Sequence, residues 1–174
     1  MSIVAEILSN KNLKAKQQTD ALVDCLMNQH TTTNELIEIA SIQKDIPKAN
    51  CIEALENCTK THPQFCNEDA FNFVIAQLKS NTPRVKWESA RVIGNTVALF
   101  PQHAQIAAEA LLKNTNDTGT VVRWSAAFAL GEIIQLNLAV NQKIIPLIEE
   151  IILKEEKNSI RKIYQTAIKK AKVF

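Results

Sequence analysis

Val85-Lys86-Trp87-Glu88-Ser89-Ala90-Arg91-Val92-Ile93-Gly94 and Val122-Arg123-Trp124-Ser125-Ala126-Ala127-Phe128-Ala129-Leu130-Gly131 align without a gap at an offset of 37 residues. Both tryptophans of the chain and two of its three glycines fall in one register, which scattered rare residues seldom do by accident. Fainter copies flank the pair. Lys48, Ala54 and Leu55 stand 38 residues before Lys86, Val92 and Ile93, and Arg161, Ala167 and Ile168 stand 38 residues after Arg123, Ala129 and Leu130. Recurrence at this period marks a repeat array, because a two-helix unit buries its apolar face only by stacking on its neighbours.

The rest of the chain agrees with helices. Its 174 residues suit one domain, and with only 3 Gly and 5 Pro it has few of the residues that tight β-turns need. Ala21, Leu22, Cys25 and Leu26 form one helical stripe. Thr32-x-x-Glu35 reads as a capping box ahead of Leu36, Ile37, Ile39 and Ala40. Asn67 before Glu68 and Asp69, and Pro101, each open a further apolar run. The pattern predicts about nine helices joined by short connections. It divides a single domain into N-terminal capping helices over 1–44, repeats over 45–81, 82–118 and 119–157, and a terminal capping helix over 158–174.

Val-basic-Trp-x-x-Ala-x-x-aliphatic-Gly resembles the second helix of a HEAT repeat, above all Val122 to Gly131 with Asn116-Asp117 before it. The resemblance is good over 82–137, moderate over 45–81 and 141–172, and little more than helical before residue 45. Glu56 and Lys169 replace the glycine in the outer copies, and Ser80 stands 37 residues before Asp117, where the family often has Asp. Armadillo and tetratricopeptide arrays are near alternatives, and the period fits HEAT better than the 34-residue tetratricopeptide unit. The resemblance implies an all-α right-handed superhelix of about four to five helix pairs. It also implies a non-enzymatic scaffold that holds a protein or peptide segment on its concave second-helix face.

Lys48, Lys86, Arg123 and Arg161 make a basic ladder, one rung per repeat. On a helical wheel with Val85 at 0°, Lys86 falls at about 100°, between Ile93 at about 80° and Val97 at about 120°, so the cation starts on the buried side. A buried unpaired charge is costly, which predicts acidic partners in the turns: Asp45, Asp117 and Glu155 or Glu156. Trp87, Arg91, Asn95 and Glu88 fall on the opposite, polar side at about 200° to 300°, and the register gives Trp124, Phe128, Glu132 and Ser125 the matching places. Trp87, Arg91, Asn95, Trp124, Phe128 and Glu132 are therefore the candidate partner-binding residues, with Arg91 expected over Trp87 as a cation beside an aromatic patch.

Other chemistry has thin support. Cys58, His62 and Cys66 form C-x3-H-x3-C, with His30 or Cys51 within reach as a fourth ligand, yet the spacing matches no strong zinc signature and the 58–51 interval is that of a buried stripe. No metal or cofactor is assigned. There is no phosphate loop, nucleophile elbow or His-Glu-x-x-His, and the three histidines sit near predicted helix ends. The net charge of +2 is too small to dominate behaviour toward nucleic acid, although from Lys143 to Phe174 eight Lys or Arg face four Glu. A second reading stays open: the chain also resembles the HEAT-like alkylpurine DNA glycosylases, which bind DNA on a concave face. The N-terminal Met1-Ser2-Ile3-Val4-Ala5-Glu6 has no secretory leader, and no apolar run is long enough to span a membrane. A cytoplasmic location with four reduced thiols, Cys25, Cys51, Cys58 and Cys66, is the expectation.

Overall fold

The computed structural model describes residues 2–171. Among these residues the chain is all-helical, with ten α-helices and no strand. They are α1 (Ile3–Ser9), α2 (Ala15–Met27), α3 (Thr33–Ile42), α4 (Asp45–Thr59), α5 (Glu68–Gln77), α6 (Pro83–Thr96), α7 (Ala104–Leu112), α8 (Thr120–Gln135), α9 (Asn141–Lys154) and α10 (Asn158–Ala171). Residues 172–174 of the expected terminal helix lie outside the described residues. The count exceeds the expected nine by one, and α1 is the shortest of the ten at 7 residues.

The helices pair as α1–α2, α3–α4, α5–α6, α7–α8 and α9–α10. The second helices α2, α4, α6, α8 and α10 pack side by side in one continuous row, more extensively than α1, α3, α5 and α7 pack in theirs. Each of the segments 45–81, 82–118 and 119–157 holds one second helix followed by the next first helix. The register drawn from sequence is the register of the core: Ala54 and Leu55, Val92 and Ile93, Ala129 and Leu130, Ala167 and Ile168 are all buried in one cluster that runs from Val4 to Ile168. Burial of each Val, Leu or Ile among them contributes about 1.5–3 kcal/mol, so the joints between repeats share in holding the array together.

Caps explain the helix boundaries. Thr32 Oγ1 accepts the Glu35 N–H at 3.1 Å, as the capping-box pattern predicts, while the Glu35 carboxylate accepts the Thr31 hydroxyl at 2.7 Å instead of closing the box. Asn67 Oδ1 accepts the Ala70 N–H at 2.9 Å. α2 ends in a Schellman turn, with His30 N–H bonded to the Cys25 carbonyl at 2.9 Å and Gln29 in the left-handed region at φ 58°. Asn137, just after α8, is likewise in the left-handed region at φ 54°. A chain with so few glycines uses Gln and Asn for this conformation.

The basic ladder joins successive repeats at its two central rungs. Lys86 Nζ lies 2.7 Å from Asp117 Oδ2, and Arg123 reaches both oxygens of Glu155 at 2.9 and 3.3 Å. The outer rungs differ from the expectation. Lys48 donates to Gln77 Oε1 at 3.3 Å, and Arg161 donates to the Glu155 carbonyl at 3.0 Å. Asp45 accepts the Thr82 hydroxyl at 2.8 Å and does not pair with Lys48. The reason lies in the loops. Lys48, Lys86 and Arg123 reach forward toward the loop before the next second helix, where Ser80, Asp117 and Glu155 hold equivalent places, whereas Arg161 turns back to the loop before its own helix. Ser80, Asp117 and Glu155 each accept the N–H two residues on, at 3.1, 2.8 and 2.9 Å respectively. Ser80 can cap its loop but cannot pair with a cation, so Lys48 turns to a neutral amide.

Candidate functional site

The second-helix face splits into two halves of different chemistry. The N-terminal half is closed by its own bonds. Gln18 on α2 donates to the Leu8 carbonyl at 3.2 Å and accepts from Asn50 on α4 at 2.9 Å. Asn50 in turn accepts from Arg84 on α6 at 2.8 Å, and Arg84 forms a salt bridge with Glu53, which also accepts the Thr19 hydroxyl at 3.1 Å. Charges here are matched within the protein, leaving little for a ligand to meet.

The C-terminal half is open. Trp124 and Phe128, one helical turn apart on α8, stack with ring centroids 6.0 Å apart at an interplanar angle of 17°. The Arg91 guanidinium lies over Trp124, 5.5 Å from its ring centroid. The sequence placed Arg91 over Trp87. A helix-surface neighbour is within reach of either, but the row of second helices brings the next repeat against α6, and Arg91 crosses that joint. Phe128 is seated by Gly94: a Cβ there would come within 2.4 Å of Phe128 Cε1, so the absent side chain of α6 makes the notch for the ring of α8. Trp124 keeps 36% of its surface exposed.

The remaining candidates have other places. Trp87 Nε1–H donates to Glu88 Oε1 at 2.7 Å. Asn95 crosses to the preceding repeat, donating to Thr59 Oγ1 at 3.2 Å and the Glu56 carbonyl at 3.4 Å, which gives it a role in the joint. Glu132 lies beyond Phe128, in a groove shared with α10. Burial pushes its carboxyl up, partly offset by the charge of Lys170. Glu88 departs from the polar-side expectation. It is 4% exposed, and its second oxygen, Oε2, has no hydrogen-bond partner among the described residues. Helices on both sides enclose α6, so only a narrow stripe of its polar side reaches solvent. Burial drives the Glu88 carboxyl up, against the Trp87 bond and the Arg91 charge.

No three His, Cys, Asp or Glu groups among the described residues are arranged to hold a metal. Cys51, Cys58 and Cys66 are buried, and burial pushes their thiols up to about 12, 11 and 11, away from the thiolate that zinc binds. No helix among the described residues is long and apolar enough to cross a membrane.

No protein family matches the sequence, and no curated protein does. Solved structures do match in shape. An engineered protein superposes with a TM-score of 0.78 at 16% identity, covering 98% of this chain and 80% of its own. The designed armadillo repeat protein YIII(Dq)4CqI gives 0.73 at 16%, covering 98% and 81%. Another designed armadillo repeat protein, solved in complex with the peptide (KR)4, gives 0.71 at 16%, covering 95% and 78%. The fold is thus an armadillo/HEAT-like repeat solenoid, and those neighbours are designed scaffolds.

Proposed function

We propose that this chain is a non-enzymatic scaffold that holds an extended peptide segment of a partner on its second-helix face, centred on Arg91, Trp124 and Phe128. The observation that carries the reading is the inter-repeat stack of one cation and two aromatic rings with an exposed tryptophan at its edge. Rings and guanidinium held rigid by neighbouring helices present contact area without paying for side-chain ordering, which is why such residues dominate binding energy. A similar solenoid with a peptide bound supports the same use of the fold. The closer packing of the second-helix row supports reading it as the concave side, where a peptide touches several repeats at once.

A random-peptide display library panned against the wild type and against Arg91→Ala/Phe128→Ala tests this. Sequences enriched on the wild type should fall to background on the variant, with the helical circular dichroism signal unchanged. Equal capture by both proteins puts the site elsewhere. DNA binding is the weaker reading, because half of the face is already charge-matched and the net charge is only +2. It requires duplex affinity that falls steeply with salt.

A further inference from the structure

The groove beyond Phe128 narrows the choice of partner. It encloses about 330 Å³ between α8 and α10. Phe128, Gly131, Ile163 and Ala167 supply its apolar surface, and Lys162, Lys170 and Glu132 its charged lining. The repeat register explains its character. Lys162 holds on α10 the place of Trp87 and Trp124, and Lys170 the place of Asn95 and Glu132. The last second helix therefore presents exposed cations where earlier ones present aromatic and neutral or acidic groups. Among the described residues, Arg91, Lys162 and Lys170 take part in no salt bridge. On the other half of the face, Arg84 is matched by Glu53 and Lys16 by Asp20. The single carboxylate in the groove, Glu132, is half-buried, and burial weakens its hold on negative charge. A larger cleft of about 470 Å³ at the loop edge offers no such opening, since Arg123, Glu155 and Asp117 at its centre are bonded within the protein.

We propose that this groove receives an acidic peptide segment, with an apolar side chain against Phe128 and Ile163 and carboxylates reaching Lys162 and Lys170. The proposal rests on the peptide-scaffold reading and gives its ligand a charge. It sets this chain apart from its designed neighbour, whose peptide is basic. Complementary charge at a rim raises the encounter rate and rejects wrong partners even where each exposed pair contributes little affinity.

The test is fluorescence anisotropy at low salt with three labelled probes: a twelve-residue peptide of alternating Asp and Leu, its counterpart with Lys for Asp, and a twelve-nucleotide thymidine strand. The acidic peptide should bind the wild type roughly tenfold tighter than the basic one. Lys162→Glu/Lys170→Glu should erase or reverse that preference, two exposed charges inverted being enough for about a tenfold change. The control Lys16→Glu/Lys44→Glu, in the N-terminal half of the chain, should leave it unchanged. All four positions are exposed, so the variants should keep the fold, which their thermal midpoints check. If either peptide binds and Arg91→Ala/Phe128→Ala abolishes it while the α10 charge reversal has no effect, the scaffold reading stands and the acidic partner falls. If neither peptide binds, both fall. Thymidine-strand binding as tight as the acidic peptide, lost in the same α10 variant, replaces the peptide by nucleic acid.

Discussion

Gly94 and Gly131 occupy the same place in successive repeats, yet the structure sets them opposite fates on conversion to alanine. Each lies inside a helix, where Gly→Ala contributes about 1 kcal/mol through helix propensity. At Gly131 the new methyl would meet Ala167 Cβ at 3.4 Å and Ile163 Cγ2 at 3.6 Å. Those are contact distances that a slight shift accommodates, so Gly131→Ala should be stabilised by about 1 kcal/mol, or roughly 2–4 °C in a chain of this size. At Gly94 the methyl would stand 2.4, 2.8 and 3.0 Å from three carbons of the Phe128 ring. Overpacking of this kind costs about 1–3 kcal/mol, which cancels or outweighs the propensity gain and drives Phe128 out of its stack on Trp124. Urea denaturation of the two single variants should therefore separate them by about 1–3 kcal/mol, and Trp fluorescence should change only in Gly94→Ala. The same substitution in a Phe128→Ala background removes the collision, and there Gly94→Ala should stabilise like its partner. Equal effects of the two single substitutions, or no rescue by Phe128→Ala, would refute the notch.

Two further predictions concern buried charge. Glu88→Gln keeps an oxygen for Trp87 Nε1–H and removes a carboxylate that burial disfavours, so relative to the wild type it should gain stability as pH rises toward 7. Because the folded carboxyl titrates above its unfolded value, the wild type is penalised increasingly as pH rises from the ordinary carboxylate range to the folded value. The gap between variant and wild type should widen over that interval, and a gap independent of pH would disprove the account. Arg123→Met strands Glu155, whose side chain is only 3% exposed, and should cost about 3 kcal/mol. Lys48→Met loses only a bond to Gln77 and should cost under about 1 kcal/mol. Burial works against ionised Glu155, but Arg123 and the backbone N–H groups of Lys157 and Glu156 outweigh it and hold the carboxyl below its ordinary value. The Arg123 effect is therefore full above the ordinary carboxylate value and should shrink as acid protonates Glu155. Thermal melts from pH 7 down to pH 3 measure both variants.

The fold was legible because a repeat states its own period. Val85 to Gly94 and Val122 to Gly131 named the second helix, and stacking made every equivalent position share one environment, as Ala54, Val92, Ala129 and Ala167 do in the core. The cross-repeat acids Asp117 and Glu155 were legible from the cost of burying Lys86 and Arg123. Single-helix reasoning failed where two helices meet. A wheel drawn for α6 alone put Glu88 toward solvent and Arg91 over Trp87, whereas the flanking α4 and α8 enclose the first and draw the second across the joint. The Gln18–Asn50–Arg84 network went unseen although its column carries a signal: Asn50, Glu88 and Ser125 keep that position polar through three repeats. Buried Asn114, which donates to the Leu78 carbonyl at 3.0 Å, has no such column.

The four cysteines all fall between residues 25 and 66, in the first half of the stack, with Cys51, Cys58 and Cys66 sealed from solvent and Cys25 8% exposed. In an array where every unit leans only on its neighbours, the two ends can loosen separately. A thiol-modifying reagent thus reads the loosening of one end and is blind to the other, where the aromatic stack and its groove lie. The molecule carries a built-in reporter that tells unravelling of its front from events at its rear.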